Sequence, residues 1–293
     1  MSTRSRQIGS QLIPRVFERF LDDAAVFPPG SATLTDAVAD HRRHRTAWYA
    51  DLVGPLLLPA TALATLTSLL APDEAIEVGV VGDVPIARLP ALLDDLDPRI
   101  RVRQLEVAVA KRGEDPQPGL AELFDLARSR EELTVYAEIP LTWGLLRALD
   151  TVAQERAGGR RVAAKFRTGG LAAELFPTPV ELAAVICACR DRDLPFKLTA
   201  GLHQAVRHID PETGFTHHGF VNVLTATTAA LAGAEVTDVA DLLGTTDAER
   251  LVTAARDSLD RPRQLWRGFG SCSVLEPVAD LVRLGLVDGG YER

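Results

Sequence analysis

Apolar residues in this chain gather into short runs bounded by glycine or proline, and each run is followed by a segment with helical spacing. The runs are AAVF at 24–27, LVGPLLLP at 52–59, IEVGVVGDVP at 76–85, VRQLEVAVA at 102–110, LTVYAEIP at 133–140, RVAAKFRTGG at 161–170, PFKLTAGLH at 195–203 and LWRGFGSCS at 265–273. A short amphipathic helix is expected at 10–21, and Thr33 or Thr35 is placed to cap a helix running through His44. Eight strands, each with a helix behind it, predict a parallel eight-stranded (β/α)8 TIM barrel, with 1–293 as one domain and a helical insertion at 205–262. An open Rossmann-like sheet is the alternative, and it lacks a GxGxxG opening the helix after the first strand.

Strand parity divides these runs into two faces, because residues two apart point the same way. Val162, Ala164 and Phe166 share one face of the sixth strand; Ala163, Lys165 and Arg167 share the other. The same division sets Lys197 against Phe196 and Leu198, and Glu138 against Val135, Ala137 and Ile139. It sets Glu106 against Leu105 and Val107, and Glu77 against Ile76 and Val78. The apolar sets must meet the helices, so Glu77, Glu106, Glu138, Lys165 and Lys197 are expected to face the barrel axis. Charges in such a place require partners, and a structural ion network would suffice to explain them. A barrel interior, however, is normally filled by branched apolar residues, and barrel chemistry sits at the carboxyl ends of the strands.

Composition changes the weight on two of these residues. Of 32 Lys and Arg residues only three are lysine, at 111, 165 and 197. Arginine serves on a solvated surface but cannot lose its proton and attack a carbon, so lysines retained on axis-facing strand ends are candidates for chemistry. The net charge of −8 and pI near 5.3 argue against nucleic acid or an anionic membrane as the main partner. No apolar run reaches the roughly 20 residues of a membrane span, and the basic N-terminus lacks the apolar core of a signal peptide. Cys187, Cys189 and Cys272 form no disulfide framework, which fits a reducing compartment, and the expected location is cytoplasmic. Self-association is left open.

A lysine attacks a carbonyl only when neutral, and either desolvation or a neighbouring cation lowers its pKa. Lys165 and Lys197 on adjacent strands, with Arg167 beside them, are expected to supply the second effect. The inferred chemistry is a Schiff base on one lysine, with Glu106 or Glu138 moving protons. It needs no cofactor.

The motifs carrying these residues resemble those of deoxyribose-phosphate aldolase, a class I aldolase barrel. KFRTG from Lys165 to Gly169 resembles the family's Lys-Thr-Ser-Thr-Gly pattern, and KLTAGLH from Lys197 to His203 its lysine followed by a Gly-Gly turn. FGSCS from Phe269 to Ser273 is similar to its Phe-Gly-(Ala/Thr)-Ser-Ser strand end, and VYAEIPL and LEVAVA fall where the family has its glutamate strand and its acidic relay. The resemblance implies that Lys165 forms the Schiff base, Lys197 perturbs it and Glu106 takes the relay position. It also implies that Gly169, Gly201, Gly270 and Ser271 border a phosphate. The chain departs from the pattern with glutamate in place of aspartate at 106, Ala200-Gly201 for Gly-Gly, His203 for arginine and Arg167 for a small polar residue. The family can use a C-terminal tyrosine, which here would be Tyr291.

Four of the six histidines, His203, His208, His217 and His218, fall in the stretch opening the insertion. His203 is the best placed for substrate, while Asn222 and Thr225 read as capping or packing residues. The expected function is a Schiff-base-forming lyase acting on a small carbonyl compound, with or without a phosphate. The alternatives are a metal-dependent hydrolase built on the His203–His218 cluster and a non-catalytic barrel binding a small anion.

Overall fold

The computed structural model of the protein describes residues 13–289; Tyr291 and the first residues of the helix expected at 10–21 lie outside them. The chain runs β1 (Leu21–Asp23), α1 (Leu34–Thr46), β2 (Val53–Pro59), α2 (Leu63–Leu66), β3 (Ile76–Val81), α3 (Leu89–Asp94), β4 (Ile100–Ala108) and α4 (Gln117–Ser129). It continues with β5 (Thr134–Glu138), α5 (Leu145–Ala157), β6 (Val162–Arg167), α6 (Pro179–Arg190) and β7 (Phe196–Thr199). The two-residue strands β8 (His208–Ile209) and β9 (Thr216–His217) precede α7 (Phe220–Leu231), α8 (Val236–Gly244), α9 (Ala248–Arg256), β10 (Trp266–Ser271) and α10 (Leu275–Arg283). Apart from β8 and β9, which pair with each other, the strands close into an all-parallel barrel of eight, in the order β1-β10-β7-β6-β5-β4-β3-β2. This is the expected (β/α)8 fold.

Two boundaries differ from expectation for one reason. The first barrel strand is Leu21–Asp23, not 24–27, and the described residues of the segment expected as a helix contribute a 3-10 turn at Arg15–Phe17. The sequence LDD is polar because its middle residue faces charged groups across the barrel, so a search for apolar runs passes over it. AAVF instead forms the turn leaving the strand.

The closing seam between β1 and β10 is aromatic. Phe20 meets the ring edges of Trp266 at 4.9 Å and Phe269 at 5.1 Å, and Phe220 of α7 stacks on Phe269 at 5.5 Å. These rings are all buried, and offset or edge contacts of this kind add to the stabilisation from burial itself. Helix α7 is buried on nearly every side because it packs among α6, α8 and α9 and reaches β10 through Phe220. Helix starts follow their sequence signals. Thr178 and Glu181 form a reciprocal capping box ahead of Pro179 at the first position of α6, and Thr33 caps α1 by accepting from Asp36 N.

Candidate active site

Of the five charged residues that parity placed on the axis, four meet in one cluster. Lys165 on β6 pairs in register with Glu138 on β5 and with Lys197 on β7, while Glu106 on β4 lies across from Tyr136. Lys165 Nζ is 2.7 Å from Glu106 Oε2 and 2.8 Å from Glu138 Oε2. The other oxygen of Glu106 accepts from Lys197 Nζ, which also donates to Asp22 Oδ2 on β1. Gln104 completes the group by donating from Nε2 to Asp22 at 2.5 Å and to Glu106 at 2.9 Å. Both lysines, Glu106 and Asp22 are at least 94% buried. Room for these long side chains comes from β2 and β3, which carry glycine beside them. A Cβ on Gly54 would lie 1.9 Å from Asp22 Oδ1, and one on Gly79 would press on Leu57 and Gln104.

The electrostatics differ from the expected pattern in one respect. Lys197 and Arg167 were expected to push the pKa of Lys165 down. Burial does pull it down, but the Glu106 and Glu138 carboxylates outweigh burial and hold the amine above the usual lysine value. Lys197 is raised in the same way by Asp22 and Glu106. The counterpart is Glu106: burial favours its neutral form, yet the two ammonium groups hold it down to about 2. Glu138 is lowered against burial by Lys165 and Arg167. Asp22 goes the other way, raised by burial and by nearby Glu106 against the opposing pull of Lys197. The resting cluster is therefore a set of paired charges, and its proton acceptors lie within contact of the amine that must lose a proton.

Glu77 is corrected. It points along the axis but sits one strand end lower, at the amino-terminal mouth, where it is half-buried and receives Arg19 at 3.0 Å and also Arg103. It takes no part in the lysine cluster.

Toward the carboxyl ends of the strands, exposed Arg167 lies over Glu138 at 3.3 Å. Gly169 and Gly201 abut one another, with a Cβ on Gly169 meeting Gly201 Cα at 3.0 Å, and Gly201 adopts φ +76°. Their observed contact is this tight turn packing, reinforced by Thr168 Oγ1 donating to Ala200 O at 2.7 Å. Gly270 keeps the axis clear between Leu57 and Thr199, and Ser271 Oγ donates to Ser273 O at 2.8 Å in the turn before α10. His203 sits at this same end. Its Nδ1 is 3.1 Å from Glu276 Oε2, and Cys272 Sγ lies 3.7 Å from its Nε2. The sulfur contact, opposed by burial and helped by Glu276, raises its pKa.

The remaining histidines are engaged with the fold. His208 and His217 face each other across the short ribbon at 5.3 Å, and His217 also packs on Phe176. His218 is fully buried, contacts Pro177 O at 2.8 Å, and is pushed down to about 4 by burial. Among the described residues no group of three or more His, Cys, Asp and Glu side chains is placed to hold a metal ion. Asn222 ties the start of α7 to the loop before it and to the end of α8, accepting from Arg207 N and donating to Leu242 O and Thr245 O. Thr225 bonds back to carbonyls of its own helix, at Val221 and Asn222.

Sequence reading missed Asp22 and passed over Gln104 and Tyr136. The signal for Gln104 and Tyr136 was present, since each shares a face with a named glutamate. Asp22 had none, because its strand was displaced. Among the described residues no helix is long and apolar enough to cross a membrane. No model of a known protein family matches the chain, and no curated protein matches it either.

Proposed function

We propose that the protein is a Schiff-base-forming lyase of the class I aldolase type, acting on a small carbonyl compound, with Lys165 as the nucleophile. The observation that carries this reading is the pair of carboxylates contacting one lysine amine, 2.7 Å and 2.8 Å away, on strands that end at the carboxyl mouth of a barrel. In the resting state the amine is protonated, so the first event is proton transfer from Lys165 to Glu106 or Glu138. The neutral amine then attacks the substrate carbonyl carbon, the carbonyl π pair goes to oxygen, and a proton passes from the new ammonium nitrogen to that oxygen to give a carbinolamine. A second proton on that oxygen allows water to leave and the iminium to form. The iminium accepts the electron pair of the breaking carbon–carbon bond as an enamine, and a carboxylate takes the hydroxyl proton of the departing carbonyl fragment. Lys197 keeps Glu106 charged and fixed in place, and Glu138, tied to the exposed Arg167, is the acid–base group nearest solvent. Resemblance to deoxyribose-phosphate aldolase in the order of these strand-end motifs supports the same reading.

Borohydride trapping tests it. Protein incubated with small aldehydes and ketones and then reduced should carry one adduct on Lys165, found by peptide mass analysis, and Lys165→Met should abolish it. Absence of any adduct at Lys165 and Lys197 across aldehydes and ketones rejects the lyase and favours a cluster that only fills the barrel.

A further inference from the structure

The amino-terminal end of the barrel, opposite the mouth of Lys165, is also built from charged residues. A cavity of about 440 Å³ opens there, bordered by Arg19 ahead of β1, Glu77 on β3, Arg103 on β4, Thr134 and Tyr136 on β5 and Arg267 on β10, with Lys197 and Asp22 at its inner wall. A second cavity of about 570 Å³ shares Thr134, Tyr136 and Arg267 and extends along Arg156, Arg160 and Arg161. Both volumes suit small molecules.

Three features of this mouth are left over once the fold is accounted for. The first is Arg267. It is exposed, borders both cavities, and among the described residues its guanidinium makes no hydrogen bond or ion pair. The second is Tyr136. The residue is 94% buried, yet its hydroxyl has no hydrogen-bond partner among the described residues. The oxygen itself is not sealed from solvent, and the residue borders both cavities, so its O–H is free to donate to an occupant. Burial pushes its pKa up to about 12, so it stays a neutral donor. The third is charge. Arg19 and Arg103 share one carboxylate, Glu77, which leaves guanidinium donors unspent on each. Around the first cavity four cations face two carboxylates, in a chain whose net charge is −8. Arg156 lies in the last turn of α5 and Arg160 and Arg161 follow its end, where cations complement the helix dipole. Arg19, Arg103 and Arg267 follow no α-helix end and have no such account.

We propose that the amino-terminal mouth of the barrel binds a small multivalent oxyanion, seated on Arg267 and Arg103, with the Tyr136 hydroxyl donating to it. Planar guanidinium groups match phosphate and carboxylate oxygens in pairs, and the site is large enough for either kind of anion. Its inner wall is the Lys197–Asp22 pair, so an occupant touches the same charge cluster from the side opposite the reacting amine. The inference stands apart from the lyase reading, because Arg267, Arg103 and Tyr136, which seat the anion, take no part in the Schiff-base chemistry.

Calorimetric titration of the full chain at constant ionic strength tests it, with pyrophosphate as the phosphate probe and citrate as the carboxylate probe. One saturable site is expected for at least one probe, and comparing the two separates the anion classes. Arg267→Ala and Tyr136→Phe should each weaken that site about tenfold, equivalent to about 1.4 kcal/mol. Arg167→Ala, at the opposite mouth, should leave it unchanged. Arg267→Lys, which keeps the charge, should fall between; it carries the test if the alanine variant loses its native circular dichroism. Heat that never saturates with either probe overturns the proposal. So does a site lost on Arg167→Ala but kept on Arg267→Ala, which would move the anion to the other end of the barrel.

Discussion

Lys165 and Lys197 stand in register on adjacent strands, and a single carboxylate joins them: Glu106 turns one oxygen to each amine. Two buried cations on neighbouring strands would otherwise repel. Glu106 thus makes the cluster possible, and its removal should cost more than removal of an ordinary ion pair.

The first prediction is thermodynamic. Glu106→Gln keeps the shape but leaves two ammonium groups facing a neutral amide, and breaking a buried pair from one side costs about 3–5 kcal/mol. Urea unfolding should show a loss in that range with an unchanged denaturant slope. A loss below about 1 kcal/mol, typical of exposed pairs, would mean the cluster is solvated and the charges independent.

Acid should expose the same group. Glu106 is held down to about 2 from an ordinary value of 4.5, so its folded pKa is depressed. A depressed carboxylate contributes stability that is present above the unfolded pKa and is lost as pH falls through the folded value. About 3 kcal/mol should therefore disappear between about pH 4.5 and 2 from this residue. Glu138 adds loss of the same sign, and Asp22, raised by burial, opposes it. Denaturation midpoints across that range should fall steeply in the native chain and more gently in Glu106→Gln. Parallel slopes in the two would remove Glu106 as the origin. The lysines act at the other end of the scale. Since Lys165 titrates above its usual value, borohydride trapping should speed up as pH rises through 8 to 10, and a rate that is flat from pH 6 upward would show an amine already neutral.

How far all this could be read from residues depends on where the polar side chains sit. The barrel was legible because seven of its strands carry an apolar face toward helices, and parity then assigned Lys165, Lys197, Glu106 and Glu138 to the other face. Height along the axis was not legible. Parity says nothing about it, and Glu77, on the correct face, lies at the wrong end because β3 begins there. Asp22 escaped because LDD buries both of its carboxylates through tertiary partners, Lys197 and His41, that lie far away in the chain. The sign of the Lys165 shift was missed for a related reason. Parity put the second lysine and both carboxylates on the same face as Lys165, but it does not give the distances that make the carboxylates its direct contacts.

The thiols offer a prediction at the carboxyl-terminal mouth. Burial pushes Cys187 and Cys189 up and closes them to solvent, whereas Cys272 is half-buried beside the His203 imidazole. Thiolate character and access govern alkylation. Iodoacetamide at neutral pH should label Cys272 before the other two, because it alone of the three is reachable from solvent. Equal labelling of all three would show that burial does not protect Cys187 and Cys189.

Gly54 gives the most direct test of how the barrel makes room for its charges. The backbone here does not require glycine, since its φ is ordinary, but a Cβ would lie 1.9 Å from Asp22 Oδ1. Gly54→Ala must therefore push the Asp22 carboxylate away from Lys197, and overpacking alone costs about 1–3 kcal/mol. Gly159→Ala is the comparison: it has open space around it but φ +91°, so its cost of about 1–2 kcal/mol comes from backbone conformation and is indifferent to the cluster. A double-mutant cycle separates the two causes. In an Asp22→Ala background the obstructing oxygen is gone, and Gly54→Ala should become nearly neutral, while Gly159→Ala should cost the same as before. Additivity of Gly54→Ala and Asp22→Ala within about 0.5 kcal/mol would show that the glycine acts elsewhere, and the link between the closing strands and the lysine cluster would have to be sought in Gln104 instead.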